Sequence, residues 1–157
     1  MRRPRKKFKN PKTPWNLRRL KEERKILTQY GLRRKKELRI AQEILRNFRR
    51  RARDLIAVGN KEEEKVLIEK MKKLGLLTKK EPTLDDILEL NVTDILERRL
   101  QTIVFKKGMA NSIKHARQLV THGHISIDGR RIKFPSYLVT VDEEKKIDWY
   151  KPVNQGG

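Results

Sequence analysis

A chain of 157 residues has room for one ordinary domain or two small ones. It carries 41 Lys and Arg against 20 Asp and Glu, a net charge of +21, while 36% of residues are hydrophobic and 6% aromatic. Self-repulsion at this charge density opposes compaction unless a polyanion neutralises it, and nucleic acid, with its closely spaced phosphates, fits that need better than an acidic membrane. No run of 18 apolar residues occurs, and the basic start Met1-Arg2-Arg3-Pro4-Arg5 lacks the apolar stretch of a secretory signal. A cytoplasmic location is therefore expected. The absence of cysteine excludes disulfides, thiolate zinc sites, iron–sulfur clusters and cysteine nucleophiles.

The charge is unevenly placed. Residues 1–53 hold 22 Lys and Arg against 4 acids, whereas residues 54–157 hold 19 against 16. Such a distribution suggests a cationic arm that penetrates a polyanion, joined to a nearly neutral body that folds alone. Residues 1–14, with Pro4, Pro11, Pro14, seven cations and a single large apolar group, Phe8, match the arm. They cannot bury enough surface to offset their chain entropy, so disorder without a partner is expected.

From Trp15 the apolar period becomes helical. Leu17, Leu20, Arg24 and Leu27 share a face, and Gly31 falls where a left-handed cap would close a helix near 15–30. Leu38, Ala41, Leu45, Phe48, Ala52 and Leu55 repeat at alternating spacings of three and four up to Gly59, a stronger helix whose opposite face reads Arg39, Arg46, Arg49, Arg50 and Arg53. Asn60 with Glu63 resembles a capping pair for a third helix, through Leu67, Met71 and Leu74 to Gly75. After Glu81-Pro82, Thr83 with Asp86 predicts a short helix to about Leu90. Asn91 or Thr93 predicts another, through Leu96, Leu100, Ile103 and Val104 to Gly108, and Ser112 one more, to His122.

Beyond Gly123 the period changes to two. His124–Ile127 and Arg130–Ile132 flank Asp128-Gly129, the pattern of a tight hairpin. Leu138–Val141 and Lys146–Tyr150 predict two further strands around an acidic turn, Asp142-Glu143-Glu144, and Pro152–Gly157 reads as a flexible tail. The organisation expected is a basic arm (1–14), a helical region (15–91), a small α+β module (92–150) of two helices on a short antiparallel sheet, and the tail (151–157).

The module presents cations on one side. Ile113, Ala116, Leu119 and Val120 point inward, which leaves Lys114, Arg117, Gln118 and Thr121 on one outward stripe, with Arg130, Arg131 and Lys133 extending it onto the hairpin. An arginine fork bridges two phosphate oxygens, so the stripe suits a phosphate backbone. A solvated helix face is the competing reading.

Arg99-Leu100-Gln101, Phe105 to Ala110, Ser112, Ala116 to Val120, His122 to Ile125 and Ile127-Asp128-Gly129 resemble the S-four RNA-binding module in unbroken order. Upstream, Pro14-Trp15, Tyr30-Gly31-Leu32, Phe48-Arg49-Arg50 with Ala52-Arg53, Leu84-Asp85-Asp86 and Leu96 to Arg99 are similar to the archaeal form of the small-subunit ribosomal protein S-four family. Together the matches span most of residues 1–150. Gln101 stands where bacterial members often have Asp, and the metal-binding cysteines of some of them are absent, so no zinc or other cofactor is carried over.

The resemblance implies a primary ribosomal RNA-binding protein that docks early on the five-prime domain of the small subunit, nucleates assembly and later borders the site where messenger RNA enters, with an influence on decoding accuracy. It implies protein S-five as a neighbour, with S-three close by. RNA contacts in the family lie on the paired helices and hairpin of the module and on the basic N-terminal part. The candidate positions are therefore Arg2, Arg3, Arg5, Lys6 and Lys7 in the arm, Arg46, Arg49, Arg50 and Arg53 on the second helix, and Arg99, Ser112, Lys114, Arg117, His122, Arg130 and Arg131 in the module.

Other classes compete less well. The same module is appended to RNA-modifying and tRNA-charging enzymes, yet the rest of this chain offers no Gly-rich phosphate loop, cofactor fingerprint or nucleophile–base pair, so no enzyme is expected. His115, His122 and His124 lack an adjoining carboxylate or thiolate for a metal site. Of the aromatics, Phe48, Phe105, Phe134, Trp149 and Tyr150 are expected in the core, with Trp15 and Tyr137 open to base stacking. An assembly factor of the eukaryotic U-three particle, which resembles this family across the same module, is the alternative function. A general DNA-compacting protein has the charge but does not explain the module.

Overall fold

The computed structural model describes residues 6–79 and 81–150. Arg2, Arg3, Arg5 and the expected tail, 151–157, lie outside the described residues. Residues 6–14 contain no helix or strand. They lie along the helical region: Lys36 sits over the Phe8 ring, and Arg39 donates to Asn10 Oδ1 at 3.0 Å.

Five helices build the first core: α1 (Leu17–Gln29), α2 (Lys35–Val58), α3 (Lys61–Lys73), α4 (Leu84–Glu89) and α5 (Val92–Glu97). The long α2 is the spine. It packs on the other four because its three-and-four spacing gathers Leu38, Ala41, Leu45, Ala52 and Leu55 into one buried stripe. Gly59, in the left-handed conformation, ends it. Asn60 caps α3, and Thr83–Asp86 and Asn91–Asp94 form capping boxes on α4 and α5.

The second core lies between α6 (Leu100–Lys106), α7 (Ile113–His122) and an antiparallel sheet of β1 (Ile125–Ile127), β2 (Arg130–Arg131) and β3 (Ile147–Trp149), ordered β2-β1-β3. Ile127 pairs with Arg130 and with Ile147. Asp128 and Gly129 both have positive φ, the primed turn that matches strand twist. The chain is thus mostly helical with a small three-stranded sheet near its C-terminal end, the α+β class expected.

Three expectations are corrected. The helix predicted from Asn91 or Thr93 to Gly108 is two helices, because Arg98 and Arg99 leave the helical path and pair with the later segment. Arg99 bridges Leu138, and Val139 N–H donates to Arg98 O at 2.9 Å. For the same reason Leu138–Val141 is no strand but this single bridge. The acidic turn forms a short helix, α8 (Val141–Lys145), started by a Thr140–Glu143 capping box.

Candidate nucleic-acid interface

The two cores meet at a seam that four side chains tie together. Gln101, 1% exposed, directs its amide nitrogen at the carbonyls of Ile113 (2.9 Å), Gly31 (3.2 Å) and Tyr30 (3.4 Å). Gly31 has φ +57°, and a Cβ there would sit 2.9 Å from both Gln101 Nε2 and Ile113 Cγ2, so the backbone approach requires glycine twice over. Alongside, Glu37 in the first turn of α2 receives Arg99 Nη2 at 2.7 Å and Arg117 as a fork, at 3.0 and 3.1 Å. Burial pushes the Glu37 carboxyl up, but the hydrogen bonds and charges of Arg117 and Arg99 outweigh it and leave the group below its usual range.

This arrangement corrects the outward stripe. Lys114, Gln118 and Thr121 are exposed as expected, but the Arg117 side chain is 23% exposed and Arg99 only 5%, both turned onto Glu37. The reason is tertiary. Period along α7 separates inside from outside of its own module and carries no information about the start of α2, 80 residues earlier.

The remaining candidates divide in the same way. Ser112 Oγ caps α7 by accepting from His115 N–H at 3.1 Å. Arg131 donates to the carbonyls of Gly123 (2.9 Å) and His122 (2.8 Å), closing the C-terminal end of α7 where cations are favourable, and lies over the Tyr150 ring. Arg49 donates to Leu90 O and so joins α2 to the end of α4. Arg46 pairs with Glu43 and Arg50 with Asp54, both at the surface. Lys6, Lys7, Arg53, Lys114, His122 and Arg130 are exposed, and the His122 ring stacks on His124 with centroids 6.2 Å apart.

Two adjoining clefts open along the seam and share Arg33 and Arg117. The first, about 490 Å³, is lined by Lys7, Arg33, Arg34, Arg99 and Arg117 around Glu37. The second, about 370 Å³, adds Arg24 and Lys114 over an apolar floor that includes Leu27 and Leu32. Arg24, which the sequence places with Leu17, Leu20 and Leu27 on one helix face, and Arg33 and Arg34 are not among the RNA positions read from the sequence. The available signal was the run Arg33 to Lys36, placed between the cap of one helix and the apolar period of the next.

The aromatic expectation also needs correction. Phe105, Phe134 and Tyr150 are exposed, not core, alongside Trp15 at 86%, whereas Phe48 and Trp149 are partly buried against the two cores. Among the described residues there is no group of three metal-ligating side chains, and no helix is long and apolar enough to cross a membrane.

Two helices on a short sheet, with a cationic seam beside them, define an S4-domain architecture of the nucleic-acid-binding class, and residues 98–145 match the family model for the S4 domain. Over 149 residues the chain is 52% identical to small ribosomal subunit protein uS4 of Saccharolobus solfataricus, which covers 93% of this chain and 82% of that protein. Identity is 53% over 151 residues with uS4 of Ignicoccus hospitalis, covering 94% and 90%, and 50% over 152 residues with uS4 of Sulfolobus acidocaldarius, covering 95% and 86%. The chain belongs to the uS4 family of small ribosomal subunit proteins.

Proposed function

We propose that this chain is a structural, non-catalytic constituent of the small ribosomal subunit that grips ribosomal RNA along the seam between its two cores. The observation that carries the RNA face is the pair of adjoining clefts, where Lys7, Arg24, Arg33, Arg34 and Lys114 line one basic groove. Arginine forks in such a groove bridge phosphate oxygens, and the lysines add point charge. Arg46, Arg50 and Arg53 extend the face along α2, His122 and Arg130 continue it past the end of α7, and the arm residues Arg2, Arg3, Arg5 and Lys6 reach further RNA. Arg99 and Arg117 border the groove and hold its two walls in register through Glu37. Arg49, Ser112 and Arg131 brace the same elements through bonds to backbone groups.

Family membership supports the finer reading: early docking on the five-prime domain, nucleation of assembly, proteins S-five and S-three as neighbours, and a position near entering messenger RNA in the cytoplasm. The test is binding of the purified full chain to a five-prime-domain transcript across salt concentrations. With about 6 to 10 phosphates neutralised, affinity should fall roughly 10³- to 10⁵-fold between about 50 and 200 mM salt. The double variant Arg33→Ala, Lys114→Ala should bind more weakly and with a shallower slope. A flat salt dependence, or equal affinity for duplex DNA at matched salt, would overturn the assignment.

A further inference from the structure

We propose that Phe134 is a stacking platform for one unpaired nucleotide of the bound RNA, carried by the residue that precedes Pro135 in the wall of the basic cleft. The inference rests on the RNA-binding reading above and deepens it by assigning a base contact to a surface otherwise described only by charge. Phe134 is 70% exposed, so the fold forgoes the stabilisation that burying an aromatic ring provides. The ring does not stand on a loose loop. Tyr137 N–H donates to Phe134 O at 3.1 Å, Tyr137 O accepts from Leu100 N–H at 2.8 Å, and Pro135 O accepts from Gln101 N–H at 3.4 Å. The segment thereby satisfies amide groups at the start of α6 that no helical carbonyl reaches, and Pro135 restricts its backbone further. Its anchor is held in place before any ligand arrives, so binding has little chain entropy to remove.

The surroundings select the ligand. Pro135 and Ser136, the next residues along the chain, line the 490 Å³ cleft together with Arg33 and Arg34. Lys133 precedes the ring and is exposed, as is Arg130 on β2. Such cations hold a phosphate while the exposed ring offers its base a stacking face, and stacking of splayed bases on aromatic side chains is how proteins read single-stranded RNA. A protein partner fits less well, because these four cations form no ion pair with any described residue and lysine is depleted at the anchoring aromatics of protein interfaces.

The experiment compares full-length Phe134→Ala, Phe134→Leu and Phe134→Trp with the parent in binding a transcript of the five-prime domain. Phe134→Ala should bind about 5- to 150-fold more weakly, as expected for one lost base stack, with thermal stability and salt slope unchanged, since the ring is exposed and uncharged. Phe134→Leu should lose nearly as much, because it keeps an apolar surface but no π face. Phe134→Trp should retain affinity and show fluorescence quenching on RNA addition beyond that of the parent, whose Trp15 and Trp149 set the background. Parent-like binding by Phe134→Ala, parent-like binding by Phe134→Leu, or absence of added quenching in Phe134→Trp would each overturn the stacking role while leaving RNA binding in place. Failure of the parent itself to bind would overturn both readings together.

Discussion

The two halves of the molecule use arginine differently. In the module, Arg98 donates to Glu144 at 2.6 Å and to Val139 O, Arg99 and Arg117 converge on Glu37, and Arg131 closes α7. In the helical region, Arg24, Arg33, Arg34, Arg51 and Arg53 form no ion pair with any described residue. The contrast follows from composition. A segment with 22 cations and 4 acids leaves most of its cations without an acid, and one of those acids, Glu37, is taken by Arg99 and Arg117 of the module. The lesson is that a cation's place in a recognised RNA-binding module does not make it an RNA contact. What matters is whether an acid or an open carbonyl lies nearer than any phosphate would.

Substitutions at Glu37, Gly31 and Arg50 test these two uses of charge. The largest effect should come from Glu37→Ala, which leaves the guanidinium of Arg99 buried without a counter-charge. A loss of about 3–5 kcal/mol is expected for removing one member of a buried ion pair, read by urea denaturation. A loss below about 1 kcal/mol, the range of surface pairs, would mean that the seam does not depend on this triad. Gly31→Ala should rank second, at about 1–3 kcal/mol, since it combines a positive φ with overlap at Gln101 and Ile113. Gly59→Ala separates the two causes, because Gly59 shares the positive φ but has nothing within 4 Å of an added Cβ. It should therefore cost less.

A pH series isolates the ionic part of the seam. The Glu37 carboxyl is lowered in the folded chain, so its stabilising contribution is complete above the ordinary carboxylate value, about 4.3, and is lost as pH falls through the lowered one. Parent stability should exceed that of Glu37→Gln at neutral pH, and the two should converge as pH drops below about 4.3. Parallel curves in urea melts would show that Glu37 does not titrate with folding. The smallest effect belongs to Arg50→Ala. Its partner Asp54 lies 3.8 Å away and both side chains are mostly in water, so stability should change by less than about 0.5 kcal/mol while RNA affinity falls. That is the reverse of the pattern expected at Glu37.

Much of the fold was legible because its signals are local. The spacing from Leu38 to Leu55, the cap of Asn60 on α3, the capping box of Thr83 with Asp86, and Asp128-Gly129 between alternating residues each constrain a few neighbouring backbone angles. The capping box of Thr140 with Glu143 was equally present, but an acidic cluster between two apolar runs looks the same as a turn until its backbone hydrogen bonds are drawn.

Charge imbalance, helical and alternating periods, family and therefore α+β class are all written in the order of the residues. Which cations remain available, where the predicted helix breaks at Arg98 and Arg99, and the exposure of Phe134 depend on how the chain packs. Helix periods and caps depend on residues within a turn or two of one another. The partners of Arg99 and Arg117 lie 62 and 80 positions away, and the helix break is set by a bridge to Leu138. Pairings at such distances are selected by the packing of two cores against each other, which no window along the chain contains.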